Sequence, residues 1–78
     1  MNINCVFVKD EIPLEKQDDF LKLFLERISL EFSDVVITAE WGDDETAVVS
    51  EDCSDYVKAN YQRFVDGLKQ DLIIFDYF

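Results

Sequence analysis

The 78-residue chain carries 18 acidic and seven basic side chains and no histidine, for a formal net charge of −11. So negative a chain repels nucleic acid and anionic membrane, and without imidazole it lacks the usual general base and the imidazole-backed nucleophile. A hydrophobic fraction of 49%, 14% aromatic residues, two glycines and one proline exclude a disordered chain and describe one small domain, residues 1–78, with an acidic surface.

Residues 2–8 alternate, with Ile3, Cys5 and Phe7 on one face and Asn4, Val6 and Val8 on the other. This reads as a strand, largely buried because both faces are partly apolar. The apolar run Cys5–Val8 is too short for a signal-peptide core and follows no basic leader, so the expectation is a cytoplasmic protein. Asp10-Glu11-Ile12-Pro13 breaks the strand, and Pro13 suits a helix start. Residues 14–33 repeat Phe20, Phe24, Ile28 and Phe32 every fourth position, the stripe of a helix facing a core. Leu23 and Leu30, seven apart, lie to one side of it, where they widen the buried arc or meet a partner.

Residues 35–41 alternate again, Val35, Ile37, Ala39 and Trp41 against Val36, Thr38 and Glu40. Gly42-Asp43-Asp44-Glu45 reads as a turn, and 46–50 as the return strand of a β-hairpin. Asp52 or Ser54 can cap a second helix, striped by Val57, Tyr61, Phe64, Val65 and Leu68. The segment 72–78 is rich in β-branched and aromatic residues and reads as a fourth strand; the alternative is that the second helix runs on. The order β-α-β-β-α-β predicts an α+β, ferredoxin-like fold: an antiparallel sheet with two helices packed on one face.

That plan gives the charges an address. The first strand would end where the hairpin turns, so Asp10, Glu11, Asp43, Asp44 and Glu45 would share one pole. Glu15, Asp18 and Asp19 in the first turn of helix 1 would join them, as would Asp71 entering strand 4. Asp34, Glu51, Asp52 and Asp55 would form a second acidic group opposite. The basic residues look scattered along the helices and unable to neutralise the loops. Trp41 ends a strand beside the acidic turn; it packs on a helix end or anchors a partner. Strand 4, as a sheet edge, could pair with a second copy.

Three uses compete for these carboxylates. A solvated, solubilising surface is the general fate of charge runs. Ca²⁺ or Mg²⁺ binding would use hard oxygen ligands, but there is no D-x-[DN]-x-[DN]-G loop, and adjacent acids tend to point apart. The third use is mimicry of a polyanion, since duplex nucleic acid carries a charge roughly every 1.7 Å along its axis. No CxxC, HExxH, GxSxG or glycine-rich phosphate loop is present, so the reading is non-enzymatic, with neither cofactor nor metal. Cys5 and Cys53 read as free thiols rather than a disulfide.

In size, charge and lack of catalytic groups the chain resembles phage-encoded inhibitors of host defence, including anti-CRISPR and anti-restriction proteins, and also acidic immunity proteins that neutralise nuclease toxins. The resemblance is one of composition, and no residue roles carry over from it. It implies a decoy that fills the basic nucleic-acid-binding cleft of a larger protein, touching it through Asp10, Glu11, Asp18, Asp19, Trp41, Asp43, Asp44 and Glu45. The contrasting expectation is an interaction domain that forms a homodimer through its sheet edge, with acidity serving solubility alone.

Overall fold

A computed structural model describes residues 1–75. Three strands and two long helices follow in the order β1 (Asn2–Val8), α1 (Gln17–Glu31), β2 (Val36–Gly42), β3 (Thr46–Val49) and α2 (Asp55–Phe75). The architecture is α+β, as the alternation and helical spacing require. The sheet, however, is mixed and three-stranded, in the order β2-β1-β3.

β1 is the centre of everything. It pairs in parallel with β2, Asn2 beside Val36 through Val8 beside Gly42. On its other side it pairs antiparallel with β3, Ile3 opposite Val49 through Val6 opposite Thr46. Ile3, Cys5 and Phe7 are 0–1% exposed because both helices lie on that face. Phe7 meets Phe20 and Phe24 edge-on, with ring centroids 5.3 and 4.9 Å away, the offset geometry that aromatic quadrupoles favour. Ile28, Val65 and Leu72 belong to the same cluster. The reverse face of the sheet is uncovered. There Thr38 Oγ1 donates to Asn4 Oδ1 at 2.9 Å, and Val36 and Val48 stand exposed.

Two expectations fail. The predicted β2–β3 hairpin does not form, because β1 lies between the two strands. The chain between Gly42 and Thr46 must therefore cross the end of β1. Two strand spacings are roughly 10 Å, and four Cα steps reach about 14 Å at full extension, so residues 43–45 suffice. A hairpin turn and this crossing need the same number of polar residues, so the sequence signal was the same for both.

No fourth strand forms among the described residues. Residues 72–75 continue α2, and residues 76–78 of the predicted strand lie outside the described part. Val57, Val65 and Leu72 are all buried, eight and seven residues apart. Leu72 thus extends the helical stripe, and that burial outweighs the local β-propensity of Leu72-Ile73-Ile74-Phe75. The sheet position beside β1 that a fourth strand would take is filled by β2. The ferredoxin-like order does not apply.

Local signals explain the remaining boundaries. Pro13 opens a short 3-10 turn (Leu14–Lys16) rather than α1 itself, which starts at Gln17. Ser54 caps α2, its Oγ accepting from the Val57 amide at 3.3 Å. Asp52, the other candidate cap, binds the terminal ammonium of Met1 at 2.9 Å instead. Both cysteines are buried free thiols. Burial pushes the Cys5 thiol up to about 11, which leaves it inert.

Gly42 ends β2 where the crossing begins, and a Cβ built on it would stand 2.7 Å from Val6 Cγ1. Val6 is β-branched and stiff at χ1, so its methyl gives way only at a cost. Gly42→Ala is therefore expected to destabilise the fold by about 1–3 kcal/mol, the range for overpacking a tight site. Urea unfolding of the variant checks it.

Candidate interaction surface

The acidic pole assembles around the exit of β1. After Val8 the chain turns through a 3-10 segment, Lys9–Glu11, and Ile12 drops back into the core at 3% exposure. Gln17, the first residue of α1, ties this turn down: its Nε2 donates to the Lys9 carbonyl at 2.7 Å and to the Ile12 carbonyl at 3.1 Å. The start of α1, with Asp18 and Asp19 in its first turn, is thereby held against the turn that carries Asp10 and Glu11. The crossing residues Asp43, Asp44 and Glu45 pass the same point.

One lysine joins the pieces. Lys69, on α2, reaches Glu11 Oε2 at 2.6 Å and Glu45 Oε1 at 2.8 Å. Its own side chain is only 14% exposed. Burial alone would lower the ammonium's pKa, but hydrogen bonds and charge from Glu11 and Glu45 outweigh it and leave the value raised. Lys9 Nζ stands 3.7 Å from Asp43 Oδ1 in a looser, exposed pair. The expectation that basic residues could not reach the loops is thus corrected: Lys9 and Lys69 do, and the better covered one ties α2 to both acidic segments.

The predicted residues therefore divide. Glu11 and Glu45 are committed to Lys69, and Asp43 leans on Lys9. Asp10, Asp18, Asp19 and Asp44 are exposed and have no ion pair among the described residues. Asp18 and Asp19 also complement the helix dipole at the start of α1. Trp41 belongs to the core side of β2, its ring 6.1 Å from Phe7 and 5.7 Å from Phe20. Its indole Nε1 is buried without an acceptor. Asp71, assigned by sequence to this pole, lies on α2 and lines the groove between the helices.

At the opposite pole, Asp52 and Asp34 of the predicted second acidic group lie beside Met1. Asp52 bonds the terminal ammonium and accepts from Ser50 Oγ at 2.5 Å. The Ser50 hydrogen bond first, then the ammonium, hold its carboxyl below the usual value. Asp34 shares a surface hollow there with Met1 and Tyr56.

Sequence reasoning missed Lys69. Its position on α2 gives no local sign of a role, since its partners lie 24 and 58 residues away. Among the described residues no group of three or more acidic or cysteine side chains is placed to hold a metal ion, and no helix is long and apolar enough to cross a membrane. Comparison of the chain with protein-family models and with curated proteins finds no match.

The clasp has a measurable stability. Lys69→Met should cost about 1–2 kcal/mol, the scale for charge-assisted hydrogen bonds at a partly exposed site. Because the folded-state pKa of Lys69 is raised, the contribution is fully present below its ordinary value of 10.5 and is lost as pH rises through the higher folded value. The gap between wild type and variant should therefore stay constant from neutral pH to about 10.5 and close as pH rises from there through the folded value, as read by urea unfolding along a pH series.

Proposed function

We propose that this chain is a small non-enzymatic inhibitor that occupies the basic nucleic-acid-binding cleft of a larger protein as a decoy for the polyanion. The observation that carries the reading is the group of exposed carboxylates at the β1 exit, Asp10, Asp18, Asp19 and Asp44, which the fold holds together without ion pairing among the described residues. A carboxylate that neither supports the core nor offsets a neighbouring lysine adds repulsion to the folded state. A cationic partner relieves that repulsion.

Size and charge density support it. The Cα frame measures 35 × 24 × 16 Å. A duplex of that length, about one helical turn, carries roughly 20 phosphate charges, against 18 carboxylates here. A cleft that fits duplex nucleic acid meets a body of similar length and comparable, if lower, net charge. Association would be fast at low salt and fall steeply as salt rises. Phage anti-defence proteins and nuclease immunity proteins, which the chain resembles in composition, are the setting in which such a decoy would work, inside the host cytoplasm for the former.

The competing idea, a homodimer built on a sheet edge, assigned that edge to a fourth strand, whose described residues 72–75 continue α2 instead. The outer edge of β2 is the long one that remains, and it is flanked by Asp34 at one end and by Asp43 and Asp44 at the other. An antiparallel pairing with a second copy centred on Ala39 would set Asp34 opposite Asp44, which is unfavourable.

Affinity capture from host lysate tests the proposal. The expected catch is a nucleic-acid-binding protein that is released by raised salt and competed off by duplex DNA. Replacing Asp10 and Asp44 with lysine should weaken capture by more than tenfold while the unfolding midpoint is maintained, since neither residue supports the core. A captured protein indifferent to duplex DNA and to the double variant would overturn the decoy reading.

A further inference from the structure

We infer that the outer edge of β2 is a docking site for a basic, extended segment of another protein, which adds to the sheet as an antiparallel strand. β2 ends the sheet, with β1 on one side and, among the described residues, no strand on the other. The Val36 amide donates to the Met1 carbonyl at 2.9 Å. Successive residues of a strand direct their backbone groups to alternate sides. Val36, Thr38, Glu40 and Gly42 therefore turn theirs toward β1, and Ile37, Ala39 and Trp41 turn theirs outward. The outward groups form a row of donors and acceptors that a further strand can pair with.

The apolar side chains of β2 are covered on one side only. Ile37, Ala39 and Trp41 lie in register with Ile3, Cys5 and Phe7. The β1 residues are 0–1% exposed, whereas their β2 neighbours are only partly buried. The two strands differ in their flanks: β1 has a strand on each edge and β2 has one. An added strand with apolar residues opposite Ile37, Ala39 and Trp41 removes that remaining surface from water.

Charge selects the occupant. From Ser33 to Glu45 the chain holds Asp34, Glu40, Asp43, Asp44 and Glu45 and no lysine or arginine. Lys9 pairs with Asp43, and Lys69 with Glu45. Asp34, Glu40 and Asp44 have no ion pair among the described residues. Asp34 precedes the strand, Glu40 lies on its uncovered face, and Asp44 follows it. An acidic segment, including a second copy of β2, meets like charge along this edge. A segment that alternates apolar and cationic residues, with further cations beyond its ends, meets opposite charge there. The charges that keep two copies apart thus admit a basic strand.

The test uses the intact protein and a capped peptide, Lys-Lys-Val-Lys-Val-Thr-Val-Lys-Lys. Paired antiparallel, its valines lie opposite Ile37, Ala39 and Trp41, and its central lysine lies opposite Glu40. Hydrogen exchange followed by NMR should show the Ile37, Ala39 and Trp41 amides exchanging fast in the free protein. Peptide at about ten times its dissociation constant should slow them about tenfold, with that constant below about 1 mM. The same peptide N-methylated at its valines should bind about tenfold more weakly or worse, as should a version with glutamate for every lysine. Asp34→Lys combined with Glu40→Lys should weaken binding of the original peptide by about tenfold. Thermal melts should show the fold kept, since both side chains are exposed.

Edge amides already slow in the free protein, no binding at millimolar peptide, or binding that leaves the three amides fast would each overturn the inference. So would binding that N-methylation, the glutamate version or the double substitution leaves unchanged. The inference does not rest on the decoy reading. Neither Asp34 nor Glu40 belongs to the exposed group at the β1 exit, and failure of edge pairing leaves capture by that group as it was.

Discussion

The constraint on which this structure turns is that β1 must be covered on both edges and on one face. Ile3, Cys5 and Phe7 are essentially inaccessible, and no other segment among the described residues supplies three such positions in alternation. Once β2 and β3 lie on either side of β1, the link between them has to pass over its end. The crossing demands a residue without a side chain at position 42, because Val6 fills the space. It also draws Asp43, Asp44 and Glu45 up to the turn that carries Asp10 and Glu11. The carboxylate crowding follows from the topology, and the topology follows from the burial of one strand.

Crowding of this kind works against folding, and α2 answers it. Had residues 72–75 formed a strand, the second helix would have ended near Gly67, and Lys69 would have lain in a loop. The longer helix puts Leu72 into the core and carries Lys69 to a position between Glu11 and Glu45. One buried apolar contact and one charged clasp therefore support each other: the helix must continue for the lysine to arrive, and the lysine holds the helix against the pole. Hydrophobic burial sets the path of the chain. The electrostatic clasp adds a modest local term of the size expected for a partly exposed pair.

The elements that repeat at a fixed period were legible in the sequence. The alternation of 2–8, the four-residue repeat from Phe20 to Phe32, and the stripe from Val57 to Leu68 each identify an element and its buried face, because periodicity is a local property. Strand order is not local. The tetrapeptide Gly42–Glu45 satisfies a hairpin and a crossing equally, and only the competition for the edge of β1 separates them. Leu72-Ile73-Ile74-Phe75 has the composition of a strand, yet Leu72 also falls at the next position of a helical stripe, and long-range burial settled the matter. The acidic pole was legible as a grouping, since Glu11 and Glu45 do converge. Lys69 as its cation was not, because nothing near position 69 in the chain announces a partner 58 residues away.

The surface that results is divided into distinct regions. At the β1 exit, Asp10, Asp18, Asp19 and Asp44 have no ion pair among the described residues, and the proposed contact with a cationic surface there would weaken as salt rises. Along the helices, Arg27, Arg63, Glu31 and Asp71 line one groove together with the apolar Ile28, Phe64 and Leu68. A uniformly acidic exterior would be soluble but indiscriminate, attracting any polycation from any side. Concentrating the excess at the sheet ends gives attraction a direction. It leaves the helical face free to use shape and apolar contact, which discriminate between partners more sharply than net charge does.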